Sequence, residues 1–338
     1  MGKTSPAAIA TSDIHVLTAQ EYHKALLLEI PKAQRRITVA AMIVVWGERT
    51  APLFELLKSA AKRGVQVTVL LDNYTRLSAR YNLQPRKSRN ERVKRTFTAL
   101  EELSALGATI HCLGKIGLSP YKGRCHVKVT VVDDNYYSFG GVNLYDQCFE
   151  NTDYMLAGKN PVIADCLHEL VTRIGTSQPP LTDGEVVINK KNLVLFDGGR
   201  PGHSLIYERA CELAAQAKQI HLVSNFTPSG PLANLMHETS SVAYFNRPEQ
   251  MIAPDAWGQA FDQKRYQILN AHMGSNFLHA KFMLFELRGG KKVVLSGSHN
   301  FSYRGVAFGV QELALESSDP ALWKQLHQFI HDQVLGKL

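Results

Sequence analysis

His126-Val127-Lys128 opens a stretch that runs through Asp133 to Gly140-Gly141-Val142-Asn143. His279-Ala280-Lys281 opens a second that runs through Glu286 to Gly297-Ser298-His299-Asn300. In each, a β-rich run follows His-x-Lys, a turn surrounds the acid, and a second run ends at a glycine. Residues two apart in an extended chain share a face, so each histidine and its lysine point the same way. The Gly-Gly or Gly-Ser pair lets backbone approach a bound group closely, and the asparagine adds an uncharged donor. The candidate catalytic residues are therefore His126, Lys128, Asn143, His279, Lys281 and Asn300, supported by Gly141 and Ser298.

The duplication extends beyond the motifs. An offset of 159 carries Asp153-Tyr154-Met155-Leu156 onto Glu312-Leu313-Ala314-Leu315, Asn160-Pro161 onto Asp319-Pro320, and Leu167-His168 onto Leu326-His327. Self-similarity at a fixed offset marks a tandem repeat and takes precedence over single-motif arguments. The His168/His327 pair is expected to be structural. Apolar periodicity predicts, in the first half, helices over Tyr22–Ile30, Pro52–Lys62 and Pro161–Ile174. It predicts strands over Ile37–Val45, Val65–Leu71, Thr109–Leu113, Val127–Val132, Tyr136–Phe139 and Asp153–Leu156. Val93, Phe97, Leu100 and Leu103 fall on one face of a further helix. In the second half, helices over Ser204–Ala217 and Pro320–Val334 flank strands over Ile220–Val223, His279–Phe285 and Lys292–Leu295. The alternation is an α/β pattern. The expected division is an N-terminal half over 1–175, a linker with a hairpin turn at Asn189–Asn192 over 176–201, and a C-terminal half over 202–338.

Charge is concentrated in one place. The chain of 338 residues carries a net +8, and between Thr75 and Arg95 eight bases face one acid, a local +7. From Ile37 to His126 the first half is thirty residues longer than the second half from Ile220 to His279, and the basic segment falls inside that excess. Arg86, Lys87, Arg89 and Arg92 are its candidate substrate-binding bases, and Tyr74 and Tyr81 stand nearby. The longest apolar run, Val39–Trp46, is far short of the roughly 20 residues of a membrane-spanning helix. Met1–Asp13 has no apolar stretch of signal-peptide length, so the expected location is cytoplasmic, with a peripheral place at a membrane as the option. Five cysteines without a CxxC pair argue against a disulfide framework or a zinc site. No metal or other cofactor is expected, because lysine is no ligand and no carboxylate accompanies the histidines at liganding spacing.

Two imidazoles, two ammonium groups and two amides suit a phosphodiester. Lysine and asparagine bind the non-bridging oxygens, one imidazole attacks phosphorus, and the other protonates the leaving oxygen. One copy supplies half of this set, and two copies facing each other across a pseudo-twofold axis complete it. Asp133 and Glu286 have two readings: a part in the chemistry, or pairing with a neighbouring base at the strand end.

The paired motifs resemble those of the phospholipase D superfamily. Gly297-Ser298-His299-Asn300-Phe301-Ser302, with Arg304-Gly305 and Gln311-Glu312, looks most like bacterial cardiolipin synthase and phosphatidylserine synthase relatives. The resemblance implies two phospholipase D-like α/β/α sandwich halves with the active site at their interface. It also implies metal-independent exchange through a covalent phosphohistidine, with His126 the first choice as nucleophile. An acidic residue ten to twelve positions after each asparagine would orient a histidine, a place filled by Asp153 and Glu312. Glu286 departs from the family's aspartate. The expected partner is an anionic phospholipid or membrane surface, reached without N-terminal membrane helices. Nucleic acid is the alternative, and a duplicated chain needs no oligomer for its chemistry.

Overall fold

The computed structural model describes residues 14–78, 86–114 and 122–336. The first half contains β1 (His15–Thr18), α1 (Ala19–Glu29), β2 (Arg36–Ala41), α2 (Ala51–Lys62), β3 (Gln66–Asp72), α3 (Tyr74–Ser78), α4 (Arg86–Ala105), β4 (Thr109–Leu113), β5 (Val129–Val132), β6 (Tyr136–Gly140), β7 (Tyr154–Gly158) and α5 (Pro161–Thr176). The second contains β8 (Gly184–Val187), β9 (Asn192–Gly198), α6 (Leu205–Gln216), β10 (Ala217–Val223), α7 (Pro231–His237), β11 (Ser240–Tyr244), α8 (Ala253–Tyr266), β12 (Phe282–Leu287), β13 (Lys292–Gly297), α9 (Tyr303–Phe308), β14 (Gln311–Ser317) and α10 (Pro320–Phe329).

Each half builds a seven-stranded mixed sheet, ordered β1-β7-β6-β5-β2-β3-β4 and β11-β10-β12-β13-β14-β9-β8. Superposing the orders matches β1 with β9, β2 with β10, β3 with β11, and β5, β6 and β7 with β12, β13 and β14. The repeat therefore begins at β9, and the hairpin expected to join the halves is instead the edge of the second sheet, β8 pairing β9 antiparallel. Of the thirty-residue excess, nineteen residues lie between the end of β3 and His126, in the stretch that contains α4 and β4, and eleven lie between Ile37 and the end of β3. The counterpart of α4 and β4 is α8 followed by a single parallel bridge, Ala243 to Asn270. The sequence periodicity missed α7, β11 and α8.

Strands buried on both faces read as continuous apolar runs. In β5, Val129 and Val131 face a core shared by both halves, while Val132 faces the outer core of its own half. The shared core also contains Phe139, Tyr154 and Leu156 from one half and Phe282, Leu284 and Leu315 from the other. Helices α5 and α10 enter it through Leu167 and Leu326. The repeated Asn160-Pro161 and Asp319-Pro320 are the starts of these helices. Asn160 Oδ1 accepts the Val162 N–H at 3.0 Å and Asp319 Oδ1 accepts the Ala321 N–H at 3.2 Å, each satisfying an otherwise orphaned donor. His168 bonds Thr38 at 2.7 Å and His327 packs on His221, a matched pair outside the site. Gln325 on α10 ties the halves together at one edge, accepting the Val16 N–H and donating to the Ile14 carbonyl, both at 3.0 Å.

Candidate active site

The strands that carry the two motifs begin later than periodicity predicts. The His-x-Lys segments are extended lead-ins whose backbone bonds cross to the opposite half. His126 N–H donates to the Gln311 carbonyl and His279 N–H to the Thr152 carbonyl, both at 2.9 Å. Parallel bridges join Cys125 to Gln311 and Leu278 to Thr152. Each lead-in is also pinned within its own half. Asp72, at the end of β3, accepts the Cys125 N–H at 2.9 Å and pairs with buried Arg124 at 2.7 Å. Asn246, just past β11, accepts the Leu278 N–H at 2.8 Å.

The histidines meet the carboxylates of the other half. His126 Nδ1 is 3.0 Å from both oxygens of Glu312, and His279 Nδ1 is 2.7 Å from Asp153 Oδ2. Burial disfavours the charged form of both acids, yet their neighbours prevail. His126, His299 and Lys128 hold Glu312 down to about 2, and Lys281 and His279 hold Asp153 below its usual range. An ionised carboxylate only accepts, so each ring donates from Nδ1 and keeps the lone pair of Nε2 for chemistry. Burial lowers the basicity of both rings, that of His279 to about 4 with help from the Lys281 charge.

Lys128 and Lys281 are buried, at 1% and 0% exposure, and each ammonium turns back onto the carbonyl of its own motif histidine. Lys281 Nζ also lies 2.9 Å from His279 Nδ1. That nitrogen donates to Asp153, so the ammonium's hydrogen bond goes to the carbonyl. Burial brings Lys128 down to about 7 and Lys281 to about 8. Asn143 Oδ1 accepts the Ile43 N–H at 3.1 Å, leaving its NH₂ for a ligand, while Asn300 Oδ1 has no hydrogen-bond partner among the described residues.

Glycine is needed where strands close in. A Cβ on Gly297 would lie 2.1 Å from the Leu313 carbonyl oxygen, and one on Gly141 would lie 2.2 Å from Asp153 Oδ1. At the position matching Gly141, the Ser298 hydroxyl instead donates to Glu312.

His126, His279, Asn143, Asn300 and Glu312 line one cavity of about 940 Å³. Its walls include Phe226, Met251, Ile252, Phe277, Phe308 and Val310, an apolar surround for a polar floor. His299, which the sequence analysis did not single out, lines it too. Aligning the two motifs would have marked it, because a titratable ring replaces Val142 there.

Asp133 and Glu286 are not part of this site. Asp133 accepts the backbone N–H groups of Gln34, Arg35 and Arg36, each at 2.9 Å, and Glu286 pairs with Lys218 at 3.0 Å. Both close the distant ends of their motif strands. The basic segment is also partly committed. The helix begins at Arg86, within it. Arg92 bonds Asp146 at 3.2 Å, Arg95 bonds Glu102 and covers Trp46, and Arg76 stacks on Phe97. Arg92, expected to bind substrate, thus holds an acid that also accepts the Glu48 and Arg49 amides. The side chains of Arg86, Lys87 and Arg89, and Tyr81 altogether, lie outside the described residues. Tyr74 is buried and lines the cavity. Among the described residues no helix is long and apolar enough to cross a membrane, and no His, Cys, Asp and Glu group forms a metal site.

Residues 26–174 match the family model described as cardiolipin synthase, PLD-like domain. Phosphatidylserine synthase from Haemophilus influenzae Rd KW20 superposes over 95% of this chain and 86% of its own, with a TM-score of 0.71 and 16% identity. Polyphosphate kinase from Porphyromonas gingivalis does so over 95% of this chain and 50% of its own, with a TM-score of 0.59 and 14% identity. At these identities the likeness is one of fold. No curated protein matches the chain in sequence.

Proposed function

We propose that this chain, whose residues 26–174 match a PLD-like domain and whose fold is that of a phosphatidylserine synthase, is a phospholipase D-type phosphodiesterase or phosphatidyltransferase acting on phospholipids through a phosphohistidine. One observation carries the reading: two imidazoles, each held by a carboxylate of the other half, share the floor of a cavity with apolar walls. His126 Nε2 attacks phosphorus, forming an N–P bond as the P–O bond to the leaving alcohol breaks. His279 gives that oxygen its proton, and the negative charge of the bound diester favours the protonated ring beforehand. An incoming alcohol or water then loses its proton to His279 as its oxygen displaces the His126 imidazole. Lys128, Lys281 and the two asparagine amides hold the non-bridging oxygens throughout.

The apolar walls favour a lipid over a nucleic acid, whose polyanionic backbone needs a basic track. The described bases that line the cavity, Arg124 and Arg304, are already paired with Asp72 and Asp262. The test offers purified protein phosphatidylglycerol liposomes and, separately, single- and double-stranded DNA, each with EDTA. Phosphatidic acid or a transphosphatidylation product, lost in His126→Ala and His279→Ala, is the expected result. DNA cleavage with inert lipid would overturn the lipid assignment, and loss of activity in EDTA would overturn the metal-free route.

A further inference from the structure

Helix α8 turns apolar side chains outward at the rim of the cavity. Four of the six most exposed large apolar side chains among the described residues, Trp257, Phe261, Leu269 and Met273, fall in α8 and the loop that follows it. Trp257 and Phe261 stand four residues apart on the helix, 76% and 62% exposed. A single exposed apolar residue needs no explanation, whereas a cluster marks an interaction surface.

The helix sorts its residues by face. With about 3.6 residues per turn, Pro254, Trp257, Ala260, Phe261, Lys264 and Arg265 fall on one side, and all six are exposed. The opposite side carries Asp255, Gln259 and Asp262. Asp255 lines the cavity and Asp262 pairs with Arg304 at 3.0 Å. Gln259 accepts the Thr227 N–H at 2.9 Å and donates to the Asn246 carbonyl at 2.6 Å. Arg304 comes this close because Gly258 lacks a Cβ, which would lie 1.8 Å from its Nη1. These bonds fix α8 to the cavity wall, and neither acid of the helix shares its exposed side, which is apolar first and cationic at its end. The loop after α8 returns to the same rim. Gln250, which lines the cavity, donates to the carbonyl of Gly274 at 3.3 Å, next to the exposed Met273.

We infer that the exposed side of α8, with Met273, is the face by which this protein docks on an anionic phospholipid bilayer. The choice of occupant rests on the phospholipid reading of the site. Tryptophan and phenylalanine settle at the headgroup level, where an apolar ring leaves water and an indole N–H stays wet. Lys264 and Arg265 then meet the anionic headgroups. Pro254 belongs both to the exposed side and to the cavity lining, so a bilayer seated on α8 meets the mouth of the cavity.

The test measures cosedimentation of the full chain with phosphatidylcholine vesicles containing phosphatidylglycerol. Trp257→Gln with Phe261→Gln is expected to weaken binding by about tenfold or more at every salt concentration. Lys264→Gln with Arg265→Gln weakens it by about fivefold per base, at low salt only. Both double variants keep the melting temperature of wild type and its turnover of a soluble p-nitrophenyl phosphodiester. Lipids brominated in the acyl chain quench the tryptophan emission of wild type and leave that of Trp257→Phe unquenched. Unaltered binding in the Trp257 and Phe261 variant, or quenching that survives in Trp257→Phe, overturns the docking face and leaves the phospholipid reading standing. A wild-type dimer in solution that this variant abolishes overturns it in favour of a second copy of the chain. Vesicle binding that needs Trp257 and Phe261, with phosphatidylglycerol and the soluble diester both left intact, upholds the docking face and overturns the enzymatic reading.

Discussion

Asp153 and His279 are 126 residues apart in the chain and 2.7 Å apart in space. Glu312 and His126 make the reverse crossing at 3.0 Å. Neither half orients its own histidine, so the duplication yields one site with two interlocked parts rather than two sites. Removing one partner of a buried pair leaves the other unpaired, which costs more than the pair itself contributes.

Replacing either acid by its amide tests the crossing. Glu312→Gln and Asp153→Asn keep size but replace an acceptor-only carboxylate by a neutral amide that can also donate, which releases each ring's tautomer, and kcat is expected to fall by about 10³ to 10⁴. Rapid-quench detection of phosphoenzyme separates them. With His126 as nucleophile, Glu312→Gln slows its formation, whereas His279→Ala lets it accumulate from a substrate with a good leaving group. Accumulation in His126→Ala instead would reverse the two roles.

The buried lysines set an alkaline limit. A lysine whose basicity is lowered loses its charge as pH rises through the lowered value, here about 7 for Lys128 and about 8 for Lys281. Diester binding needs those charges, so kcat/KM is expected to decline above that range while Glu312, held at about 2, stays ionised throughout. A pH profile flat to pH 10 would contradict this. Lys128→Arg, whose charge persists, should move the decline upward whatever its effect on kcat.

Asp133 predicts stability without chemistry. Its three backbone acceptor contacts close the turn to β2, and its own φ of 50° places it in the left-handed region. Asp133→Ala is expected to lower unfolding stability by about 1–3 kcal/mol in urea melts and to leave kcat/KM of the folded fraction within about twofold. A large loss of kcat/KM in fully folded protein would return Asp133 to the site.

Gly141 separates sequence copying from geometry. Gly141→Ser writes the second motif into the first, yet its Cβ would displace the Asp153 carboxylate. Activity is expected to fall about as far as in Asp153→Asn. Ser298→Gly removes a hydroxyl that donates to Glu312 and accepts the Leu313 N–H, moves no carboxylate, and should cost about tenfold or less. Equal effects of the two substitutions would refute the steric argument.

For the basic segment, Arg92→Gln should act on thermal stability through Asp146, since that acid gathers the start of the loop before α2. The combined change of Arg86, Lys87 and Arg89 to Gln should weaken binding to anionic vesicles, with a loss that shrinks as salt rises. Binding unaltered at low salt would remove the segment from substrate docking.

The duplicated motifs, the capping residues at the starts of α5 and α10, and the α/β alternation are written in local spacing, and the sequence by itself determined them. Backbone periodicity and capping depend on neighbours a few residues away. The resemblance implied that Asp153 and Glu312 orient the histidines but not which serves which, because that depends on how two sheets pack across a shared core. Nor could it tell that Asp133 caps a turn, that Arg92 answers Asp146, or that the cavity over the histidines is apolar. Each depends on contacts between segments far apart in the chain, whose partners are chosen by close packing. His299 belongs to both accounts: the sequence places it opposite Val142, and only the folded chain puts it on the cavity wall while Val142 is packed in the outer core.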